Sequence, residues 1–398
     1  MKIMLLTDMP PCNNYTAGIV LNIMCGFLLE EGHDVCCFSV QAEGLNPAPE
    51  IPEDKKVRMN FSTLPKPREN WGHATPSTIS SFVGNNMMAI LKLPQISKKI
   101  ARFAKENDVE LIWCVAQGQS MTRLIRPISK LTGVPYVVQI WDPLGWWLRG
   151  YRFDNLTSHF VMKEFGRVLR DSKCCIAASW AMADEYKKKY NCPNSIPVIL
   201  GFDPSRVEPV TSKDKDSFVI AFSGQMYASD EMYSLIAALN QLNWQYNGNN
   251  ISLKLYGKDF PPNIASDNPM ITMCGWVPYE SLLSELAGAD LLYCPYWFSE
   301  IFEEESRLSF PSKLTVYLKT GVPVLLHGPS YSSPRIFLEN NSAGYICDSL
   351  DVNVIAETLE KIITDTDRNE VGEAGYQAFV NNLTLDKMRE NFFQVLQI

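Results

Sequence analysis

Short apolar runs alternate with longer amphipathic stretches along nearly all of this 398-residue chain. The opening run, KIMLLTD, passes through the Pro- and Asn-rich loop of residues 10–19 into GIVLNIMCGFLLEEGH, whose apolar residues recur at helical spacing. Gly32 breaks that helix and DVCCFSVQ follows as a second strand. Strand, helix and strand in that order make a βαβ unit, in which the two strands run parallel. The pairing recurs as ISKKIARFAKENDVE with LIWCVA, MTRLIRPISKLTG with VPYVVQIWD, and VMKEFGRVLRDS with KCCIAAS. Such a series predicts a doubly wound parallel sheet with helices on both faces.

The series stops once. Residues 201–217 read GFDPSRVEPVTSKDKDS, with two prolines, several charges and little apolar content, which is the composition of a linker. A second set of short apolar runs follows, FVIAFSG, ISLKLYG, MITMCGW, DLLYCPY, VPVLLHG and AGYICD, with helical patterns such as YESLLSELAGA between several of them. A hydrophobic share of 46% over this length is more than one ordinary core accommodates. The expected fold class is therefore α/β, with two Rossmann-like doubly wound parallel-sheet domains facing a central cleft. Their expected bounds are residues 1–205 and 217–382, joined by a linker at 206–216. A last helix at 383–398, with Thr384 as its cap, is expected to pack back on the N-terminal domain.

Several classes of protein fit poorly. Asp8 interrupts the first apolar run before it reaches the length of a signal-peptide core, and the longest apolar stretch, near Gly18–Leu29, is broken by Asn22 and too short to span a bilayer. A cytoplasmic protein is expected. The eleven cysteines are scattered without a C-x-x-C spacing and read as reduced, buried thiols. The four histidines lie far apart, so no metal site is expected. Charge divides unevenly: residues 1–206 hold 24 Lys and Arg against 19 Asp and Glu, whereas residues 207–398 hold 12 against 25. The halves carry +5 and −13. Either the first half faces an anionic membrane surface or a phosphorylated acceptor, as a peripheral protein at the inner face would, or the difference is ordinary surface variation. No nucleic acid is expected among the partners.

Ligands of open α/β sheets bind outside the carboxyl ends of the strands, so loops after strands are the places to search. The most informative is FPSKL, where Phe310 and Pro311 end a loop, Ser312 and Lys313 open a helix, and Gly321 closes it. Helix amides, a hydroxyl and an ammonium then meet at a positive dipole end, which suits a phosphate or pyrophosphate. The alternative is a solvated first-turn lysine beside a capping serine. Asp142 ends the strand VPYVVQIWD next to three tryptophans and two arginines, and is either a base for an acceptor hydroxyl or a helix cap. His73, in the loop WGHATP, is a rival base, and His327, which ends the strand VPVLLH near the expected phosphate site, is a candidate phosphate contact.

The run FPSKLTVYLKTGVPVLLHG resembles the donor-binding segment of the group-1 glycosyltransferases with the GT-B fold, many of which read PSKLxEYLAxGxPV there. EEGHDV at 30–35, YVVQIWDP at 136–143, FSGQMYASDEM at 222–232 and CGWVPYESLLSELAGADLLYCPY at 274–296 are similar to further segments, so the likeness extends over nearly the whole chain. It implies transfer of a sugar from a nucleotide diphosphate sugar to a hydroxyl of a glycan or lipid-linked acceptor, without metal or cofactor and with retention of configuration. It also implies a donor site formed by Gly224, Gln225, Gly257, Trp276, Val277, Phe310, Pro311, Ser312, Lys313 and Leu314. Tyr15, Thr16 and Gly18, in the loop after the first strand, are then acceptor contacts or structural loop residues.

Two departures stand out. The family's pair of glutamates, eight positions apart, falls here on Leu308 and Val316, and a valine accepts no hydrogen bond from a ribose hydroxyl. Glu300 is the expected substitute, with residues 301–308 as an insertion and Glu303–Glu305 as a solvated acidic loop. The cations that many relatives carry after the first strand of the second domain are also absent, since Gly224 and Gln225 lead to Asp230 and Glu231. Lys313 and the helix amides are left as the main counter-charge to the leaving group, aided by Arg307. Two rivals remain: a sugar-nucleotide epimerase, and a non-catalytic module that binds a nucleotide or glycan.

Overall fold

The structure is a computed structural model, and it describes residues 1–41, 45–66, 69–70, 78–209, 217–258, 260–261, 263–264 and 268–397. The chain divides into two compact units, one made of Met1–Val198 with the chain from Arg389 onward, the other of Ile199–Met388. Most of the expected linker, residues 210–216, lies outside the described residues.

The first unit is built on seven strands, β1 (Lys2–Thr7), β2 (Asp34–Gln41), β3 (Asn60–Pro65), β4 (Leu111–Val115), β5 (Tyr136–Ile140), β6 (Cys175–Ala177) and β7 (Ser195–Pro197). They lie in the order β3-β2-β1-β4-β5-β6-β7, and every pair is parallel. In the centre Leu5 faces Cys37 on one side and Trp113 on the other, and β4 and β5 are buried along their whole length. Strands covered on both faces read as continuous apolar runs, which is why these were visible in the sequence. β3 and β7 were not. Both are edge strands, and β3 has only half-buried and exposed positions.

A helix at Thr78–Leu91 was also unread, because its apolar residues do not face the core. At the end of the chain a helix runs Leu385–Leu396, and Thr384 Oγ1 accepts a hydrogen bond from the Lys387 amide at 3.3 Å. Phe392 is fully buried with its ring 4.9 Å from that of Trp113, and Arg389 bridges Glu30 and Glu31 at 2.9 and 2.6 Å. All eleven cysteines are free and ten are buried.

The second unit repeats the topology with β8 (Ser217–Ser223), β10 (Asn249–Tyr256), β11 (Ile271–Gly275), β12 (Leu291–Pro295), β13 (Val324–His327) and β14 (Tyr345–Cys347). The order is β11-β10-β8-β12-β13-β14, again parallel, and a two-residue strand, β9 (Gln245–Tyr246), pairs antiparallel with β10. Gly321 ends the Ser312–Thr320 helix in the left-handed conformation, φ +72°, which glycine adopts without steric cost.

The expected acidic loop is corrected here. A 3₁₀ turn at Glu300–Phe302 leads into a helix at Glu303–Leu308, and Glu305 is buried rather than solvated. Three carboxylates in a first turn complement the positive end of a helix, so the same charge run that suggests solvent also favours helix formation.

Candidate functional site

Strand order reverses between β8 and β12, and the crevice at such a reversal is where open α/β sheets hold ligands. β8 delivers Gly224 and Gln225 to that point, and both are exposed. The Gly224 amide donates to the Tyr256 carbonyl at 2.9 Å, and the Gly257 amide to that of Gly275 at 2.8 Å, so the ends of β8, β10 and β11 are tied in a row. A Cβ at Gly257 would lie 2.6 Å from the Gly224 carbonyl oxygen, and its φ is +151°, so position 257 is restricted to glycine twice over.

Lys313 enters this crevice from the Ser312–Thr320 helix. That helix has Pro311 before it and no side-chain cap, leaving its first amides without an intrahelical partner. Leu314 and Tyr317 anchor it by full burial, and the Tyr317 hydroxyl accepts from the Ser223 amide at 2.7 Å. Lys313 Nζ lies 4.0 Å from the centre of the Phe222 ring, 4.4 Å from that of Tyr227, and 3.2 Å from the Gln225 carbonyl oxygen. No carboxylate pairs with it among the described residues. Burial pushes its pKa down to about 8, with the Cys294 thiol a smaller opposing influence. A half-buried ammonium held by two rings and one carbonyl is poised for an anion. The Tyr227 hydroxyl, shut from solvent, also finds no partner among the described residues.

The loop after β12 is braced from behind. Trp297 donates through Nε1 to the Tyr227 carbonyl at 2.8 Å, and its ring stacks on Phe302. The Phe298 amide donates to Oε1 of buried Glu231 at 2.8 Å. Burial raises the Glu231 pKa, opposed by that hydrogen bond. His327, which the sequence placed near phosphate, is fully enclosed: Nε2 donates to the Ser349 carbonyl at 2.8 Å and Nδ1 lies 2.7 Å from the Tyr293 hydroxyl. Burial lowers its pKa to about 4, so it is a neutral support and no anion contact.

Of the remaining expected donor residues, Pro311 is buried and Ser312 exposed at the helix start, and Phe310 packs edge-on against Phe337 at 5.3 Å. Trp276 is 65% exposed in the loop after β11, beside Val277, with the Lys258 ammonium 5.6 Å from its ring. Glu300 is exposed in its 3₁₀ turn, and Arg307 stands in the last turn of the following helix.

In the first unit Asp142 follows β5 but caps nothing, since Pro143 is the N-cap residue of the Leu144–Gly150 helix. Burial alone raises its pKa to about 6. Tyr15 and Gly18 have structural roles: the Tyr15 hydroxyl donates to the Pro47 carbonyl at 2.6 Å, and the space beside Gly18 is filled by the Cys12 side chain. Thr16 is exposed in the first turn of the Thr16–Glu30 helix. His73 lies outside the described residues.

The sequence reading missed Phe222, Tyr227, Glu231, Trp297 and Tyr317. Their one shared signal is position, at or just after β8 and β12 or on the helix that faces them, and it becomes legible only once strand order is known.

Residues 234–382 match a family model described as glucosyltransferase 3-like, C-terminal domain. No curated protein matches the chain. Among solved structures, sucrose-phosphate synthase from Thermosynechococcus elongatus aligns over 100% of this chain and 98% of its own, with a TM-score of 0.68 at 13% identity. A glycosyltransferase from Rickettsia africae covers 100% and 98% with 0.65 at 13%. Anabaena HepE in complex with UDP and glucose covers 100% and 99% with 0.64 at 14%. These likenesses identify the fold as that of the GT-B glycosyltransferases.

Proposed function

We propose that the chain is a glycosyltransferase that takes a sugar from a nucleotide diphosphate donor to a hydroxyl of a glycan or lipid-linked acceptor during glycan assembly. The observation that carries this reading is Lys313, a half-buried ammonium with no carboxylate partner among the described residues, at the switch point of the second sheet and beside an uncapped helix start. A pyrophosphate leaving group gathers negative charge as the glycosidic bond breaks, and fixed donors aimed at it supply much of catalysis. Lys313, the amides of Ser312 and Lys313, and the exposed Gly224–Gln225 turn fill that role without a metal ion. No cofactor beyond the donor is needed.

UDP-glucose is the donor we propose to try first, because the matched family is described as glucosyltransferase-like and HepE is known in complex with UDP-glucose. Trp276 and Val277 are assigned to the base, Glu300 to the sugar, and Asp142 to the acceptor hydroxyl. With a pKa of about 6, Asp142 is ionised at neutral pH, as a base must be. Among the described residues no helix is long and apolar enough to cross a membrane. We place the protein in the cytoplasm, with its first unit in peripheral contact with an anionic surface on account of that half's net +5.

The test is a thermal-shift panel of UDP-, GDP-, ADP- and CMP-linked sugars on the parent chain and on Lys313→Ala, followed by product analysis with and without acceptor. A ligand that binds only the folded state raises the melting temperature. Stabilisation by one nucleotide class, lost in the variant, and turnover only with acceptor support transfer. Donor conversion without acceptor would make the protein an epimerase, and binding without turnover a recognition module.

A further inference from the structure

The first unit carries a groove of about 660 Å³ that the donor reading does not use. Its walls come from the helices Thr78–Leu91, Leu93–Glu106, Gly118–Thr132 and Asn155–Asp171. Ile90, Leu93, Leu131 and Phe160 make it apolar, while Lys98, Arg123, Lys130 and Arg167 give it positive charge. The one carboxylate in the lining among the described residues, Glu164, is already engaged, accepting from Arg126 at 2.7 Å and from Arg167 at 3.1 Å.

Two polar side chains in this groove are orphaned. Ser97 is 1% exposed, and its hydroxyl has no hydrogen-bond partner among the described residues. The Nε and Nη2 of Arg123 are likewise shut from solvent and donate to nothing among them. Those two nitrogens form one edge of the guanidinium, the edge that grips a phosphate or carboxylate in a two-pronged fork. A desolvated cation with that edge empty is a standing penalty that an entering anion removes.

Beside the groove the Thr78–Leu91 helix presents an apolar stripe that no element covers among the described residues. Ile79, Val83, Met87 and Ile90 recur at helical spacing and are 77%, 45%, 53% and 72% exposed. Leu156 and Phe160 of the neighbouring long helix extend the patch. A helix with one apolar face turned to solvent, next to basic side chains, has the composition of an element that lies in a lipid headgroup layer.

We propose that this face docks on a bilayer, with the stripe in the interface and the groove taking one anionic phospholipid, its phosphate on Arg123 and an acyl chain along Leu93, Leu131 and Phe160. The inference builds on the peripheral contact proposed above and is independent of the transfer chemistry. A second copy of the chain fits less well, because a two-fold contact through this face would set Lys98, Arg123, Lys130 and Arg167 against their own equivalents.

The experiment is flotation of the full chain with vesicles of phosphatidylcholine alone and of phosphatidylcholine containing phosphatidylglycerol. Three variants accompany the parent: Ile79→Ser with Ile90→Ser, Lys98→Glu with Lys130→Glu, and Arg123→Gln. The first two pairs change exposed side chains and keep the proposal testable if Arg123→Gln fails to fold. Stabilisation by a UDP-sugar is measured on every chain, so that loss of docking is separated from loss of the donor site. The parent is expected to float with the anionic vesicles, weakly with the neutral ones and less at high salt, and each variant to lose roughly tenfold in partitioning. Equal binding to both vesicle types, or no binding to the anionic ones by a chain that still responds to donor, overturns the proposal. A concentration-dependent dimer that Ile79→Ser with Ile90→Ser dissolves, without vesicle binding, assigns the face to a second copy instead.

Discussion

Replacing Lys313 by methionine removes the ammonium while keeping an unbranched stem between Phe222 and Tyr227. One charge-assisted hydrogen bond to a phosphate oxygen is worth about 1.5 to 3 kcal/mol, so the variant should bind a nucleotide sugar roughly 10- to 150-fold more weakly. The titration is the sharper prediction. In the free protein Lys313 has a pKa lowered to about 8 by burial, so it is mostly charged at pH 7 and mostly neutral at pH 9. A bound pyrophosphate favours the charged form and raises that pKa, so donor binding takes up a proton wherever the free lysine has lost one. Affinity is then nearly flat below about pH 7 and falls about tenfold between pH 7 and pH 9. Isothermal titration of a UDP-sugar at pH 7, 8 and 9 reads this directly. Lys313→Met serves as the control, because any titration of the nucleotide itself appears in both chains and cancels in the comparison. Parent affinity that follows the variant's pH profile, or a variant that binds as tightly as the parent at pH 7, would refute the assignment of Lys313 to the phosphates.

Asp142→Asn should lower the transfer rate by roughly 10²- to 10⁴-fold with donor binding unchanged, and the parent's kcat/KM should fall below about pH 6 as the carboxylate protonates; a variant within a few-fold of the parent would remove Asp142 from the mechanism. His327 should make stability depend on acid: its folded pKa is lowered to about 4, so the unfolded chain binds the extra proton first and stability is lost as pH falls from about 6.5 towards 4, by up to about 3 kcal/mol. Urea unfolding at pH 7 and pH 5 tests this, and His327→Gln should flatten the slope; an unchanged slope would place the acid sensitivity elsewhere. Gly257→Ala should cost about 1 to 3 kcal/mol, since φ of +151° and the Gly224 carbonyl both oppose a Cβ. The same variant should weaken donor binding by displacing the Gly224 turn, and a stable variant with full affinity would contradict that coupling.

The two parallel sheets, the helix opening at Ser312 and the glycine that closes it were legible in the sequence, because each is fixed by residues adjacent along the chain. Buried parallel strands must be apolar throughout, and a helix start or stop is decided within one turn. Edge strands such as Asn60–Pro65 escaped for the same reason, as half their side chains face water and their pattern is faint. The Glu303–Glu305 run was misread because charge alone does not tell a solvated loop from a helix that buries one of its carboxylates.

Tertiary structure alone decided what the polar groups can do. FPSKL marked Lys313 as a candidate, but its pKa is lowered by burial, in a crevice it shares with Phe222 and Tyr227, some ninety positions earlier, only because β8 and β12 are neighbours in the sheet. The fold likewise turned His327 from a supposed phosphate contact into a neutral prop between Tyr293 and Ser349. In the first unit it left one edge of the Arg123 guanidinium without a partner among the described residues, inside a groove of mixed apolar and basic lining. Local spacing specifies the elements, whereas charge, protonation and availability depend on desolvation by residues that only folding brings together.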